Sequence, residues 1–204
     1  HMEKATKRFL FYFCKYSTFR FMIHKNTLKF LRDLKNNNNK YWFDEHRTIY
    51  ESAKTDFSLL VDQIIKGISA FDAPIADLSV KECIFRINRD VRFSKDKSPY
   101  KNHVAGYFNK GGKKGNGAGY YVHIEPGKSF AAGGMWMPLP PQLTKIRQEI
   151  DYSFGEWKSL IGSSSFKRQF PEGLDKMDVL IRPPKGYDET NAAIHFIKLK
   201  SFVV

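Results

Sequence analysis

Residues 85–125 hold the side chains best suited to gripping anions and moving protons. The segment Phe85–Lys101, reading FRINRDVRFSKDKSPYK, contains three arginines, three lysines, two aspartates and a tyrosine. Arginine presents a planar fork of donors that fits carboxylate or phosphate oxygens, and lysine supplies a point charge. Further on come His103, Tyr121, His123 and Glu125. An imidazole titrates nearest to neutral pH, so His123 is the natural acid/base group. The chemistry these types describe is binding of a small phosphate- or carboxylate-bearing molecule, with proton transfer available at the site.

Spacing brings these residues together. Lys81–Phe93 alternates apolar and polar, which predicts a strand. Cys83, Phe85, Ile87, Val91 and Phe93 fall on the core side, and Arg86, Asn88, Asp90 and Arg92 on the other. Arg89 interrupts the apolar side, so a bulge is expected near it. Tyr121, His123 and Glu125 share one side of a later strand, and His103 and Tyr107 can join them from the strand between. Cross-strand neighbours lie about 5 Å apart. The expected site therefore has His123, Tyr121 and Asp90 in catalytic roles. Arg86, Asn88, Arg92, His103 and Glu125 bind the ligand. Lys97, Tyr100 and Lys101, which leave the strand end around Pro99, add a clamp. The plain competing account is a solvated sheet face laced with ion pairs.

Other chemistries have less support. His103, His123 and Glu125 are residue types that ligate zinc or iron. No His-Glu-x-x-His or paired-cysteine spacing accompanies them, so no metal is assigned from sequence, and the cofactor is left unknown. No Gly-x-Ser-x-Gly elbow is present. Gly111–Gly119 has neither a complete phosphate-binding loop nor a dinucleotide fingerprint, and it leads into Tyr120 and Tyr121 rather than a helix. It reads as a mobile hairpin tip, with Lys110, Lys113 and Lys114 able to close over an anion. Cys14 and Cys83 are too few for a disulfide framework, and Cys83 reads as a buried thiol.

The elements that would position this site are set by periodicity. Asn26 is expected to cap a helix carrying Leu28, Leu31 and Leu34, which Asn36–Asn39 end. Asn39 then caps a long helix over residues 41–71, with Tyr50, Ala53, Phe57, Leu60, Val61, Ile64, Ile65, Ile68 and Phe71 on its stripe. Phe71-Asp72-Ala73-Pro74 stops it. Strands are expected over 81–93, 103–109, 119–125 and 129–137, with short connections that imply an antiparallel meander. Beyond Pro138–Pro141 come helices carrying Leu143, Ile146 and Ile150, then Trp157, Leu160 and Ile161. Asp188 is expected to cap a last helix with Ile194 and Ile197. Trp42, Phe43 and Trp136 are expected core or pocket-wall aromatics. The fold class is α+β: a single domain with a central antiparallel β-meander of about four or more strands, flanked by N-terminal and C-terminal helices.

Composition bounds the partners. The 204-residue chain carries a net charge of +13, unevenly placed. Residues 1–40 are net +8, residues 41–80 net −4 and residues 81–120 net +7. Such a balance favours anionic partners, with a small molecule expected first and nucleic acid second. The greasy stretch 9–23 is broken by Lys15 and Arg20 and lacks a cleavage signal, so neither a membrane span nor a signal peptide is expected, and the localisation reads as cytoplasmic. Residues 1–21 read as a tag scar (His1-Met2) and an N-terminal extension, and residues 22–204 as the domain.

Several long segments also resemble a bacterial family catalogued as domain-of-unknown-function family 2461. The resemblance is carried by the asparagine run with Tyr41-Trp42-Phe43, by Phe85–Lys101, by Gly119–Gly127 and by Gly134–Pro138. At the C-terminal end it is carried by Arg182–Tyr187 and Lys200–Val204. It covers about Met22 to Val204. It implies that residues 3–21 lie outside the family pattern and that the chain is truncated at its C-terminal end. It implies no activity, cofactor or site residue. Three functions therefore compete: a small-anion site with acid/base capacity, a nucleic-acid-binding module, and a non-catalytic interaction domain.

Overall fold

The computed structural model describes residues 22–204, so the N-terminal extension lies outside the described residues. These fall into two compact units. One takes residues 22–115 with Tyr120–Ala131, and the other takes Asn116–Gly119 with Ala132–Val204.

In the first unit, helix α1 (Lys25–Asn36) buries Thr27, Phe30, Leu31 and Leu34, the i, i+3, i+4, i+7 stripe of an amphipathic helix. Its cap is His24 rather than Asn26: the His24 Nδ1 accepts the Asn26 N–H at 3.2 Å. Asn39 caps α2 (Lys40–Glu45) as expected, accepting the Trp42 N–H at 3.0 Å. The long helix is divided at His46, whose φ of −102° and ψ of 16° leave the helical region. There the His46 ring stacks on Trp42 at 4.0 Å, and its Nδ1 lies 2.8 Å from the Trp42 carbonyl. Helix α3 (Arg47–Ser69) then buries Ala53, Phe57, Leu60, Val61, Ile64, Ile65 and Ile68.

The expected strand over 81–93 does not form as one. Val80–Cys83 is a single helical turn, α4. Its cause is a capping box: Glu82 accepts the Ser79 N–H at 2.8 Å and its hydroxyl at 2.6 Å. Beyond α4 the chain runs as an extended arm held by isolated bridges, Ile84 to Gly106 and Asn88 to Tyr100. The Phe85 N–H donates to the Ala105 carbonyl at 3.0 Å. The arm then folds on itself, with Arg89 N–H on the Pro99 carbonyl at 2.9 Å and Lys101 N–H on the Ile87 carbonyl at 2.8 Å.

Strands β1 (Val104–Phe108) and β2 (Gly119–Ile124) pair antiparallel, with Ala105 opposite His123 and Tyr107 opposite Tyr121. On one face, Val104 and Ile124 pack against a core of Phe30, Leu31, Leu34, Phe43, Ala53, Ile87 and Tyr100. The alternate residues, among them Tyr121 and His123, are left for the opposite face.

Strand β3 is Phe130–Met135, and β4 is Phe202–Val203 at the chain's end. The four strands lie in chain order in one antiparallel sheet. With eight α-helices among the described residues flanking it, the fold class is the expected α+β meander. In the second unit, Gly134 pairs with Val203 at φ +133°. A Cβ there would meet the Phe202 carbonyl oxygen at 2.1 Å, so only glycine fits.

The rest of that unit is helical: α5 (Pro140–Tyr152), α6 (Phe154–Gly162), α7 (Ser164–Gln169) and α8 (Ile194–Ile197). Its core is Ile150, Ala193, Ile194, Ile197, Leu199 and Phe202. Asp188 does not cap α8. It closes a local turn instead, accepting the Thr190 N–H at 2.8 Å, as short acidic side chains do outside helices. Arg147 collects carbonyls at and beyond the end of α8, donating to Ile197 at 2.7 Å and Leu199 at 3.2 Å.

Candidate functional site

Strand β2 presents Tyr121 and His123 on one face, and Glu125 comes just past its end with the same parity. The three are joined in a chain. The Tyr121 hydroxyl lies 3.0 Å from His123 Nδ1, and His123 Nε2 lies 3.2 Å from Glu125 Oε2. The tautomer with its hydrogen on Nε2 satisfies both contacts, donating to the Glu125 oxygen and accepting the Tyr121 hydroxyl at Nδ1. His123 is 9 % exposed, and burial raises the pKa of Tyr121, which keeps the phenol protonated.

Glu125 is oriented from two further sides. Asn102 Nδ2 donates to its Oε1 at 3.0 Å. The Glu125 N–H donates to Ser129 Oγ at 3.1 Å, and the Ser129 hydroxyl returns to the Glu125 carbonyl at 2.9 Å. These bonds close a tight turn at Pro126-Gly127.

His103 immediately precedes β1, and its ring centroid lies 4.1 Å from that of His123. Its pKa is pulled down to about 4. Burial is the main cause, then the neighbouring His123 ring and the positive charge of Lys101. His103 is therefore neutral at neutral pH. On the other side, Phe130 stacks on His123 at 4.9 Å and tilts against Tyr121 at 5.6 Å while remaining 53 % exposed. Phe85 meets Tyr121 edge-on at 6.4 Å.

The cluster thus brings together four of the expected residues, His103, Tyr121, His123 and Glu125. The charged residues of the 85–101 segment are arranged differently. Its representative at the cluster is Phe85, which alternation had assigned to the core. Arg86, Asn88, Asp90 and Arg92 are exposed. Asp90 and Arg92 close on each other, with bonds of 2.9 and 2.6 Å that hold the Asp90 carboxyl below its usual range. The chain bends at Ile87, which enters the core, and strict alternation ends there.

The expected clamp is also rearranged. Tyr100 is a core residue, 6 % exposed, stacked on Phe43 at 4.0 Å. Lys97 donates to the Val91 carbonyl at 3.0 Å. Lys101 donates to the Arg86 carbonyl at 2.9 Å and lies over the Phe85 ring at 5.6 Å, with burial holding its pKa below the usual lysine range. At the glycine-rich tip, Lys113 is tied to the Lys81 and Ile84 carbonyls at 2.7 and 3.0 Å.

Sequence reasoning missed Asn102, Ser129, Phe130 and the placement of Phe85. Parity along β3 could have suggested Phe130, once a strand beside β2 was recognised. Asn102 carries no local signal, since its partner lies 23 residues away.

Among the described residues no helix is long and apolar enough to cross a membrane. What the fold and cluster define is an α+β protein whose antiparallel sheet bears a partly shielded histidine, carboxylate and phenol group. The chain belongs to the family of conserved hypothetical proteins DUF2461, whose model matches residues 26–204. No curated protein and no solved structure matches it.

Proposed function

We propose that this protein binds a small phosphate- or carboxylate-bearing molecule on the β1–β2 face and handles a proton there through Tyr121, His123 and Glu125. The observation that carries this reading is the bonding of the His123 ring at both nitrogens. A buried imidazole bonded at one nitrogen to a phenol and at the other to a carboxylate is positioned to pass a proton along that line. Tyr121, protonated in this setting, ends that line with a hydroxyl that can donate or accept. Phe130 offers an exposed ring as a wall. Preference for an anion is supported by the positive charge of Lys101, which acts on His103; Arg89 also acts there but is paired with Asp96.

The test is a thermal-shift screen of phosphorylated and carboxylated metabolites, with turnover assays on the hits. Binding should fall at least about tenfold in His123→Asn and Tyr121→Phe, a loss of about 1.4 kcal/mol. Hits that bind these variants as well as the parent would place the ligand elsewhere and end this reading.

A second reading has its own observation. Phe93 is 97 % exposed, with the Arg92 guanidinium 5.9 Å from its ring centroid, in a loop that also carries Lys95 and Lys97. An exposed aromatic among cations suits base stacking and phosphate contacts on single-stranded nucleic acid. Salt-dependent oligonucleotide binding that weakens in Phe93→Ala supports it, and absent or salt-insensitive binding removes it.

A further inference from the structure

Three side chains of the cluster face one another in a way that proton transfer alone does not require. One ligand-type atom from each of His103, His123 and Glu125 lies within 4.8 Å of the other two. One such pair, His123 Nε2 and Glu125 Oε2, is 3.2 Å apart. Two ligands on a tetrahedral ion with bonds of about 2.0–2.1 Å are separated by roughly 3.3 Å. The hydrogen now between this nitrogen and this oxygen therefore occupies a space close to what an ion needs. A ring nitrogen of His103, within 4.8 Å of the other two ligand atoms, completes a three-residue set.

The surroundings hold these atoms inward. Tyr121 engages His123 at Nδ1, which leaves Nε2 for the ion. Asn102 engages Glu125 at Oε1, which leaves Oε2. Such outer partners fix ring orientation and carboxylate geometry in metal sites. When Nε2 binds an ion, Nδ1 carries the hydrogen and donates it to the Tyr121 oxygen, which can accept as well as donate. Phe130 and Phe85 flank the group with apolar surface, as their ring contacts with His123 and Tyr121 show.

From this geometry we infer that His103, His123 and Glu125 form a binding site for a divalent transition metal ion, with zinc or iron(II) as the matching chemistry. Two imidazoles and one carboxylate are a donor set for those ions, and three protein ligands leave a coordination position open. The inference rests on the proposed function for one point, the identity of the outer ligand; with an ion bound, His123 Nε2 and Glu125 Oε2 hold the metal instead of sharing a proton, and the proton line narrows to Nδ1 and Tyr121. An oxygen of the bound anion would take the open position, near the positive charge of Lys101. The sequence concealed the site because its ligands come from the start of one strand and the end of another, with no compact motif.

The experiment uses the full chain, stripped of metal by chelation and titrated with Co²⁺ alone and then Zn²⁺ alone, with no phosphate or carboxylate present. The expected result is one ion per chain, with visible absorption of tetrahedral or five-coordinate cobalt that zinc displaces. Affinity should fall about 100-fold or more in His103→Gln and Glu125→Gln, and about tenfold in Asn102→Ala, which removes an orienting bond and no ligand. Asn102→Ala keeps the inference testable if a ligand variant does not fold. No binding, or binding equal in all variants, overturns the metal site and leaves the anion reading standing. Metal binding by a protein that takes none of the screened anions overturns the anion reading and leaves the metal site standing.

Discussion

Ala105 faces His123 across the β1–β2 ladder, and the ring of His103, two residues before Ala105, lies 4.1 Å from the ring of His123. Ala105 is 3 % exposed, so its methyl group is buried. A branched side chain there would compete for the same volume. Ala105→Val should cost about 1–3 kcal/mol through overpacking. In NMR spectra it should shift the ring signals of both histidines, whereas shifts confined to residue 105 and its chain neighbours would show that the ring contact is independent of it.

Acid should weaken the metal-free protein through His103. Its folded pKa of about 4 lies below the ordinary histidine value near 6.5. Between those values the unfolded chain binds more protons at this residue, so stability rises with pH. The contribution is intact above about pH 6.5 and is lost as pH falls toward 4. The groups acting on His103 are His123, Lys101, Glu125 and Arg89. Urea unfolding in the presence of a chelator, at several pH values, should show a shallower loss for His103→Gln than for the parent in this window. Parallel curves would mean that His103 is not held neutral.

Asn38 ties two distant segments of the first unit together. Its side chain donates to the Tyr100 carbonyl at 2.9 Å and accepts the Tyr100 N–H at 3.0 Å, across 62 residues of sequence. These are the two bonds a strand partner would make, and they hold Tyr100 in position against Phe43. Asn38→Ala leaves both groups without partners in a partly buried setting and should cost about 1–3 kcal/mol by urea denaturation. A change within about 0.5 kcal/mol, the range of ordinary surface substitutions, would show that water replaces the amide.

The limits of reading this site from sequence lie in particular residues. The stripe of α3 and the cap at Asn39 were legible because helical period and capping are local. Tyr121, His123 and Glu125 were placed on one face because β2 alternates without interruption. The 81–93 segment was misread because its apolar alternation competes with stronger local bonds. The Ser79–Glu82 capping box winds its start into a helical turn, and the chain bends at Ile87. Asp90 bonds back to Arg92, while Asp96 accepts the Ser98 N–H at 2.9 Å. Short polar side chains that capture nearby backbone draw it away from a ladder. Asn38 and Asn102 were beyond reach for another reason: their partners are set by tertiary pairing, which no window of sequence contains.

Gly134 should tolerate no side chain. Its φ of +133° is a region that L-residues avoid, and an added Cβ would fall 2.1 Å from the Phe202 oxygen and 2.9 Å from the Val203 Cα. Both obstacles are backbone of β4, which cannot swing aside as a flexible side chain can. Gly134→Ala should therefore cost about 3 kcal/mol or more and release the C-terminal strand. Hydrogen exchange at Val204, whose N–H donates to the Gly133 carbonyl at 3.0 Å, reads that release directly. Unchanged protection at Val204 would show that the β3–β4 pairing survives by another register.

Cys83 should be inert in the folded protein. Its side chain is fully buried at the end of α4, and burial pushes the thiol pKa up to about 11, with Glu82 raising it further. The thiolate is the reactive form, so both access and ionisation oppose modification. In a Cys14→Ser background, a disulfide reagent at pH 8 should label Cys83 at the rate of global unfolding and immediately in denaturant. Rapid labelling of the folded chain would mean that the short α4 turn opens on its own. That outcome would matter for the site, since the arm leaving α4 carries Phe85 to Tyr121 and the Arg86 carbonyl to Lys101.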